Sequence, residues 1–160
     1  MPQAIEVRRT KNKGRGVFAL KNFEEGEIIE NCPIINVNPK ERKKCEGTIL
    51  AYYIYPWRST RSGSIVLGFG SIYNHSFDPN ADWKQNFKTM RMVYRALRPI
   101  KKGEEITVNY NGEPDDKTPI DWFEVKKLNK QINPTSIQEL LQRPPAVLPY
   151  LLFLVVLQKH

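Results

Sequence analysis

Apolar and polar residues alternate in short runs along most of this chain, and the runs are too brief for helices. Stretches 5–7, 16–20, 28–37, 65–69, 90–96 and 106–110 are rich in β-branched and aromatic residues, and each is bounded by Gly, Pro, Asn or a charge cluster. That is the pattern of strands closed by turns. Glu25-Gly26 and Lys102-Gly103-Glu104 read as turns feeding strands, and NHSFDPN at 74–80 reads as an ordered loop of turn-forming residues. Helix is scarce. One is predicted over 136–142, where Thr135 or Ser136 can serve as N-cap and Pro144 is the stop; a weaker one covers 47–55. The pattern therefore predicts an α+β, mostly β domain over residues 1–125, followed by a C-terminal extension, 126–160, with helical character and an apolar tail.

Composition narrows the class. A chain of 160 residues is one domain's worth and buries roughly 68–70% of its unfolded surface. With 40% apolar and 26% charged residues it has an ordinary globular make-up, which excludes disorder and fibrous structure. Cys32 and Cys45 are too few for a disulfide framework or a four-cysteine zinc site, so a reducing compartment is expected. The opening MPQAIEVRRTKNKG holds no apolar run that would act as a signal peptide, giving a cytoplasmic or nuclear expectation and no secretion. Residues 146–157 are apolar except for Pro149, but fall short of the ~20 needed for a transmembrane span. That tail is expected to pack on the domain, form a homodimer or touch a membrane.

The charge is uneven. Lys and Arg number 25 against 17 Asp and Glu, a net +8, which permits an anionic partner without requiring one. Residues 104–124 hold seven acidic side chains and only Lys117 against them. This stretch is either a solvated loop or a docking lip for a basic ligand. Basic runs such as Lys40-Glu41-Arg42-Lys43-Lys44 leave nucleic acid open as a partner, although such runs are usually solvated faces.

Single motifs say little. Gly14-Arg15-Gly16 lies between two strand-like runs, where glycine permits positive φ and close approach of a ligand to the backbone. It lacks the spacing of a dinucleotide or phosphate loop, so alone it reads as a β-turn. His75 has no second histidine near it, since His160 is terminal; a metal site or a His-dependent hydrolase is poorly supported. Aromatic residues crowd 52–83 and 110–123. Most are expected in the core, with a subset available to cage a cation.

Taken in order, KGRGVFALKNFEEGEIIENC, VLGFGSIYNHSFDPNA and MRMVYRALRPIKKGEEITVNYNG carry three motifs of one family. Over residues 5–123 the chain resembles the SET-domain protein lysine methyltransferases, in particular the compact members found in chlorella-infecting viruses. The resemblance implies a SET-domain fold of small sheets with a threaded C-terminal segment, laying the NHS loop beside the ITVNY strand. It implies S-adenosyl-L-methionine as cofactor, held by Lys13, Gly14, Arg15, Gly16, Tyr53, Asn74, His75 and Tyr110, with Trp122 over the adenine. Tyr110 would be the catalytic tyrosine. A basic protein or peptide substrate, histone-like or other, would enter a channel of Tyr53, Tyr73, Val108 and Tyr110, passing Glu113 and Asp116. Two departures stand out. No Cys follows Cys45, so no zinc module closes the channel and Trp122, Phe123 or the extension must do so. Val108 stands where family members often carry Phe or Tyr limiting the methyl count, which leaves that count open. The alternative is a SET-fold module that binds a basic peptide or nucleic acid without turnover.

Overall fold

The computed structural model describes residues 3–46 and 48–120. Its elements are β1 (Ile5–Arg9), β2 (Arg15–Ala19), β3 (Ile28–Val37), α1 (Pro39–Cys45), a 3₁₀ turn (Ile49–Tyr53), β4 (Ile54–Trp57), β5 (Ser59–Val66), a second 3₁₀ turn (Gly70–Ile72), β6 (Asn74–His75), β7 (Ala81–Asn86), β8 (Arg91–Ala96) and β9 (Glu105–Val108). All belong to one compact unit, Met1–Lys117; a second unit, Thr118–His160, has three residues in the described range. The helix expected at 136–142, the apolar tail, the boundary at residue 125, Trp122 and Phe123 lie outside it.

The strands form two sheets, of order β1-β2-β9-β6 and β4-β5-β3-β8-β7. Alternation explains the inward faces. On β8, Met92, Tyr94 and Ala96 are buried, and on β9 Ile106 and Val108 are, as period-2 side-chain geometry requires. With Val17, Phe23, Trp57, Tyr73 and Ile100 they make the core, each large buried side chain contributing about 1.5–3 kcal/mol. Every pairing is antiparallel except one. β6 runs parallel to β9, Asn74 opposite Thr107 and His75 opposite Val108, so the NHS segment and the ITVNY strand do lie side by side.

Three local expectations are corrected. Within the helical expectation at 47–55 the structure has a 3₁₀ turn, Ile49–Tyr53, that runs into β4, and the α-helix lies instead at Pro39–Cys45. Asn38 caps it: its side chain accepts from the Lys40 and Glu41 amides while the Glu41 carboxylate accepts from the Asn38 amide, a full capping box. None of its residues is buried. It stands where β3 has ended, and Arg42 donates to the Thr60 and Ser62 carbonyls at 2.8 and 2.7 Å, serving the edge of β5 that β3 leaves beyond its Val37–Gly63 pair. The strand expected at 65–69 begins earlier, at Ser59, and ends at Val66, with 67–69 in a turn. The last strand stops at Val108, leaving Asn109 and Tyr110 in the following turn.

Candidate active site

The β1–β2 hairpin opens the site. Its turn is closed by the Thr10 amide on the Gly14 carbonyl at 2.7 Å, and Gly14 has φ +75°, a left-handed conformation that glycine adopts without strain. A Cβ at Gly14 would meet nothing within 4 Å, so the backbone there is open to a ligand. Gly16 is glycine for the opposite reason. A Cβ there would sit 2.8 Å from Asn74 Nδ2 and 2.5 Å from Glu105 Oε1. Asn74 fills that space, donating to the Arg15 carbonyl at 2.9 Å and to Glu105 Oε1 at 2.7 Å. One buried amide thus joins β2, β6 and β9.

His75 and Tyr110 meet across the parallel pair. The Tyr110 amide donates to His75 Nδ1 at 3.2 Å, which puts the imidazole proton on Nε2. Nε2 itself is buried with no hydrogen-bond partner among the described residues, an exception that calls for a reason in a packed protein. Lys13 Nζ donates to the His75 carbonyl at 2.9 Å. Burial, and then the Lys13 charge, hold the His75 pKa below its ordinary value. The Tyr110 hydroxyl donates to the Tyr73 carbonyl at 2.7 Å. Burial pushes its pKa well up, with the charges of Tyr55, Tyr53 and Glu105 acting in the same direction. Just before it, the Asn109 carbonyl accepts from Trp83 Nε1 at 3.0 Å. Tyr110 is therefore held at its amide, at its hydroxyl and through the preceding peptide.

Lys13, Gly14, Arg15, Gly16, Asn74, His75 and Tyr110 are gathered by these bonds. Tyr53, on the first 3₁₀ turn, is half-buried and close enough for its charge to act on Tyr110. Two channel candidates have buried side chains. The Tyr73 ring is fully buried in the core, stacked on Tyr94 at 4.4 Å between centroids, with its hydroxyl on Glu30 Oε2 at 3.0 Å; what it turns to Tyr110 is its carbonyl. Val108 is likewise fully buried, because inward alternation on β9 gives its side chain to the core. Glu113 shares Lys84 with Asp82, at 3.4 and 3.3 Å, so part of the acidic lip is neutralised. The Asp116 carbonyl accepts from Asn109 Nδ2 at 2.6 Å.

Four contributors escaped the sequence reading: Glu30, Asn80, Glu105 and Asn109. Asn80 and Asn109 are buried, and Asn80 donates to the Glu104 carboxylate and Glu105 carbonyl and accepts from the Thr107 amide at 2.8 Å. Polar residues outside the apolar pattern give periodicity nothing to detect. The one signal was the position of Asn80 at the end of the NHSFDPN loop and of Asn109 just after β9.

The residues present fit a ligand that carries both a backbone-facing polar group and an acceptor for an imidazole. Gly14 leaves the hairpin backbone open, and the orphaned His75 Nε2 lies beside Tyr110. Among the described residues no three His, Cys, Asp or Glu side chains gather as a metal site, and no helix is long and apolar enough to cross a membrane.

Comparison with known proteins agrees with this geometry. The SET domain family model matches residues 14–111. A histone-lysine N-methyltransferase of Schizosaccharomyces pombe, H3 lysine-37 specific, is 36% identical over 121 residues, covering 75% of this chain and 77% of that protein. A solved structure of a candidate histone methyltransferase from Plasmodium falciparum superposes with a TM-score of 0.53 at 28% identity, over 69% of this chain and 95% of the other. An active polycomb repressive complex 2 in its basal state shares the fold, with a TM-score of 0.59 at 22% identity over 68% of this chain and 15% of that one. Such methyltransferases use S-adenosylmethionine generally. The chain belongs to the SET-domain family of protein lysine methyltransferases.

Proposed function

We propose that this methyltransferase acts on a lysine of a histone-like basic protein, and that Tyr110 is the residue at its reacting centre. The observation that carries the assignment is the three-point anchoring of Tyr110 beside the orphaned His75 Nε2. The substrate class is supported by relatives named for histone lysines. On this reading the protein works in the nucleus or the cytoplasm.

S-adenosylmethionine supplies an electrophilic methyl group on a positively charged sulfur. The hairpin residues Lys13, Gly14, Arg15 and Gly16 would meet it through their backbone, Asn74 through its Oδ1, and His75 through Nε2. Both Asn74 donors are already spent on Arg15 and Glu105, which fixes the amide's direction. Tyr53 would line the same site; Trp122, expected over the adenine, lies outside the described residues.

The substrate amine presents the harder problem. A free lysine of pKa ~10.4 is neutral in about one part in 2,500 at pH 7. Burial against Tyr53 and Tyr110 disfavours the ammonium, and a nearby positive charge does the same. Tyr110 is itself kept protonated by burial, so its hydroxyl orients the amine rather than removing its proton. Holding amine and methyl group in line is worth ~7–11 kcal/mol. Among the described residues Glu113, Asp115 and Asp116 form an acidic stretch, partly offset by Lys117 and by Lys84, which Glu113 shares with Asp82, suited to basic flanking residues at ~0.2–1 kcal/mol each.

The test is incubation of the protein with cofactor and histone-derived peptides, read by mass spectrometry for added methyl groups. Tyr110→Phe is expected to fold and bind cofactor while losing about 100-fold in turnover. Parental turnover in that variant removes Tyr110 from the reaction.

A further inference from the structure

Behind the site lies a carboxylate that the reaction does not consume. Glu30 is on β3, in the five-stranded sheet, not in the sheet that carries His75 and Tyr110. Its Oε2 accepts from the Tyr73 hydroxyl and its Oε1 from the Phe69 amide, both at 3.0 Å. Burial followed by the Glu30 charge pushes the Cys32 thiol's pKa well up. Burial and then the same charge raise the Tyr73 phenol. Both groups therefore stay protonated, and the Tyr73 hydroxyl keeps donating.

The Gly68-Phe69-Gly70 turn is built around this carboxylate. Gly68 has φ +69°, and a Cβ there would collide with Glu30 Oε1. At Gly70 a Cβ would strike Val66 and come within 3.1 Å of the Tyr94 hydroxyl. That hydroxyl and the Tyr55 hydroxyl both donate to the Gly70 carbonyl, at 2.8 and 3.2 Å. The turn leads directly into Tyr73, Asn74 and His75, so its placement is theirs. Tyr73 is the link: its ring is clamped between Tyr94 and Glu30, and its carbonyl receives the Tyr110 hydroxyl.

We infer that Glu30 is a positioning residue for methyl transfer, fixing the Tyr73 carbonyl through the Tyr73 hydroxyl and thereby aiming the Tyr110 hydroxyl. A charged acceptor makes these hydrogen bonds stronger and shorter than a neutral one would, and small displacements of a reacting group are costly in rate. The inference rests on the assignment of Tyr110 above. Glu30 lies on β3, outside the sheet that carries His75 and Tyr110, and reaches Tyr110 through the Tyr73 hydroxyl.

The experiment compares Glu30→Gln, Tyr73→Phe, the double variant and Tyr110→Phe in the full chain, with separate kcat and KM. Glu30→Gln and Tyr73→Phe are each expected to lower kcat about tenfold, with KM for cofactor and peptide held within about twofold. The double variant should be no worse than the poorer single, because both break the same link. Ile100→Ala, a core variant outside the link, serves as the stability control and should lower the melting temperature with kcat unchanged. If the Glu30 and Tyr73 variants lose only melting temperature, as the control does, or if their kcat losses multiply, Glu30 is structural and the inference fails. Tyr110→Phe separates the two levels. A large loss there with a parental Glu30→Gln overturns the Glu30 role alone, while parental turnover in Tyr110→Phe overturns the catalytic assignment on which it stands.

Discussion

In the five-stranded sheet, β8 turns Met92, Tyr94 and Ala96 inward in strict alternation and meets Cys32, Trp57 and Val66, whereas the four-stranded sheet closes its β6–β9 joint with buried asparagines. The first sheet is mainly an apolar construction held by the regular ladder, with Glu30, Tyr55 and Tyr94 as its polar exceptions. In the second, β6 is only two residues long, and the Asn74 and Asn80 side chains supply bonds that a longer strand would have made with its backbone. Apolar layers tolerate volume-conserving exchange; amides with every donor assigned do not. Stability should therefore reside mainly in one sheet, and ligand binding in the other.

The sharpest way to break this contrast is to damage the apolar sheet. Met92→Ala, at a fully buried position, should cost about 2–5 kcal/mol of stability, measured by urea unfolding, while turnover well below the transition stays at the parental value. A kinetic defect in the folded variant would mean that the sheets are coupled beyond the Glu30–Tyr73 link. Damage to the joint should have the reverse signature. Asn74→Ala should weaken cofactor affinity about tenfold, or ~1.4 kcal/mol, by calorimetry, with a stability loss of about 1–3 kcal/mol from the Arg15 carbonyl and Glu105 carboxylate left without their amide.

A smaller effect sharpens the comparison through pH. His75 is the titrating group of the joint, and its folded pKa lies below the ordinary 6.5. The unfolded chain then takes up a proton at His75 before the folded one does, so stability must fall as pH drops below about 6.5 and level off beneath the folded pKa. Melting temperatures from pH 7.5 to 5 should show that slope, reduced in His75→Phe. An unchanged slope would assign it to other groups.

The contrast also marks how far the sequence could be read. β8 and the early hairpin announce themselves by alternation, and the NHS and ITVNY segments by their resemblance to a family. Tyr73 and Val108 do not reveal which way they face, because a tyrosine beside a site and a tyrosine in the core occupy the same letter. The facing is set by the short β6 and by where β9 begins, both decided by partners far along the chain. α1 failed for a different reason. It buries nothing, so it has no apolar period to detect, and only the Asn38-Pro39-Lys40-Glu41 cap marks its start. Glu113 read as an open acid because its partner, Lys84, sits on β7, far back along the chain.

β9 is the middle of its sheet, with β2 on one side and β6 on the other. The hairpin and β6 are made long before it during synthesis, and until β9 arrives neither has its partner. Contacts of such sequence separation close late and slowly. Tyr110 comes two residues after β9 ends. While the chain is still being made, at ~5–20 residues per second, every earlier part of the site exists without the strand that assembles it, so the growing polypeptide acquires its methyl-transfer centre in a single late step.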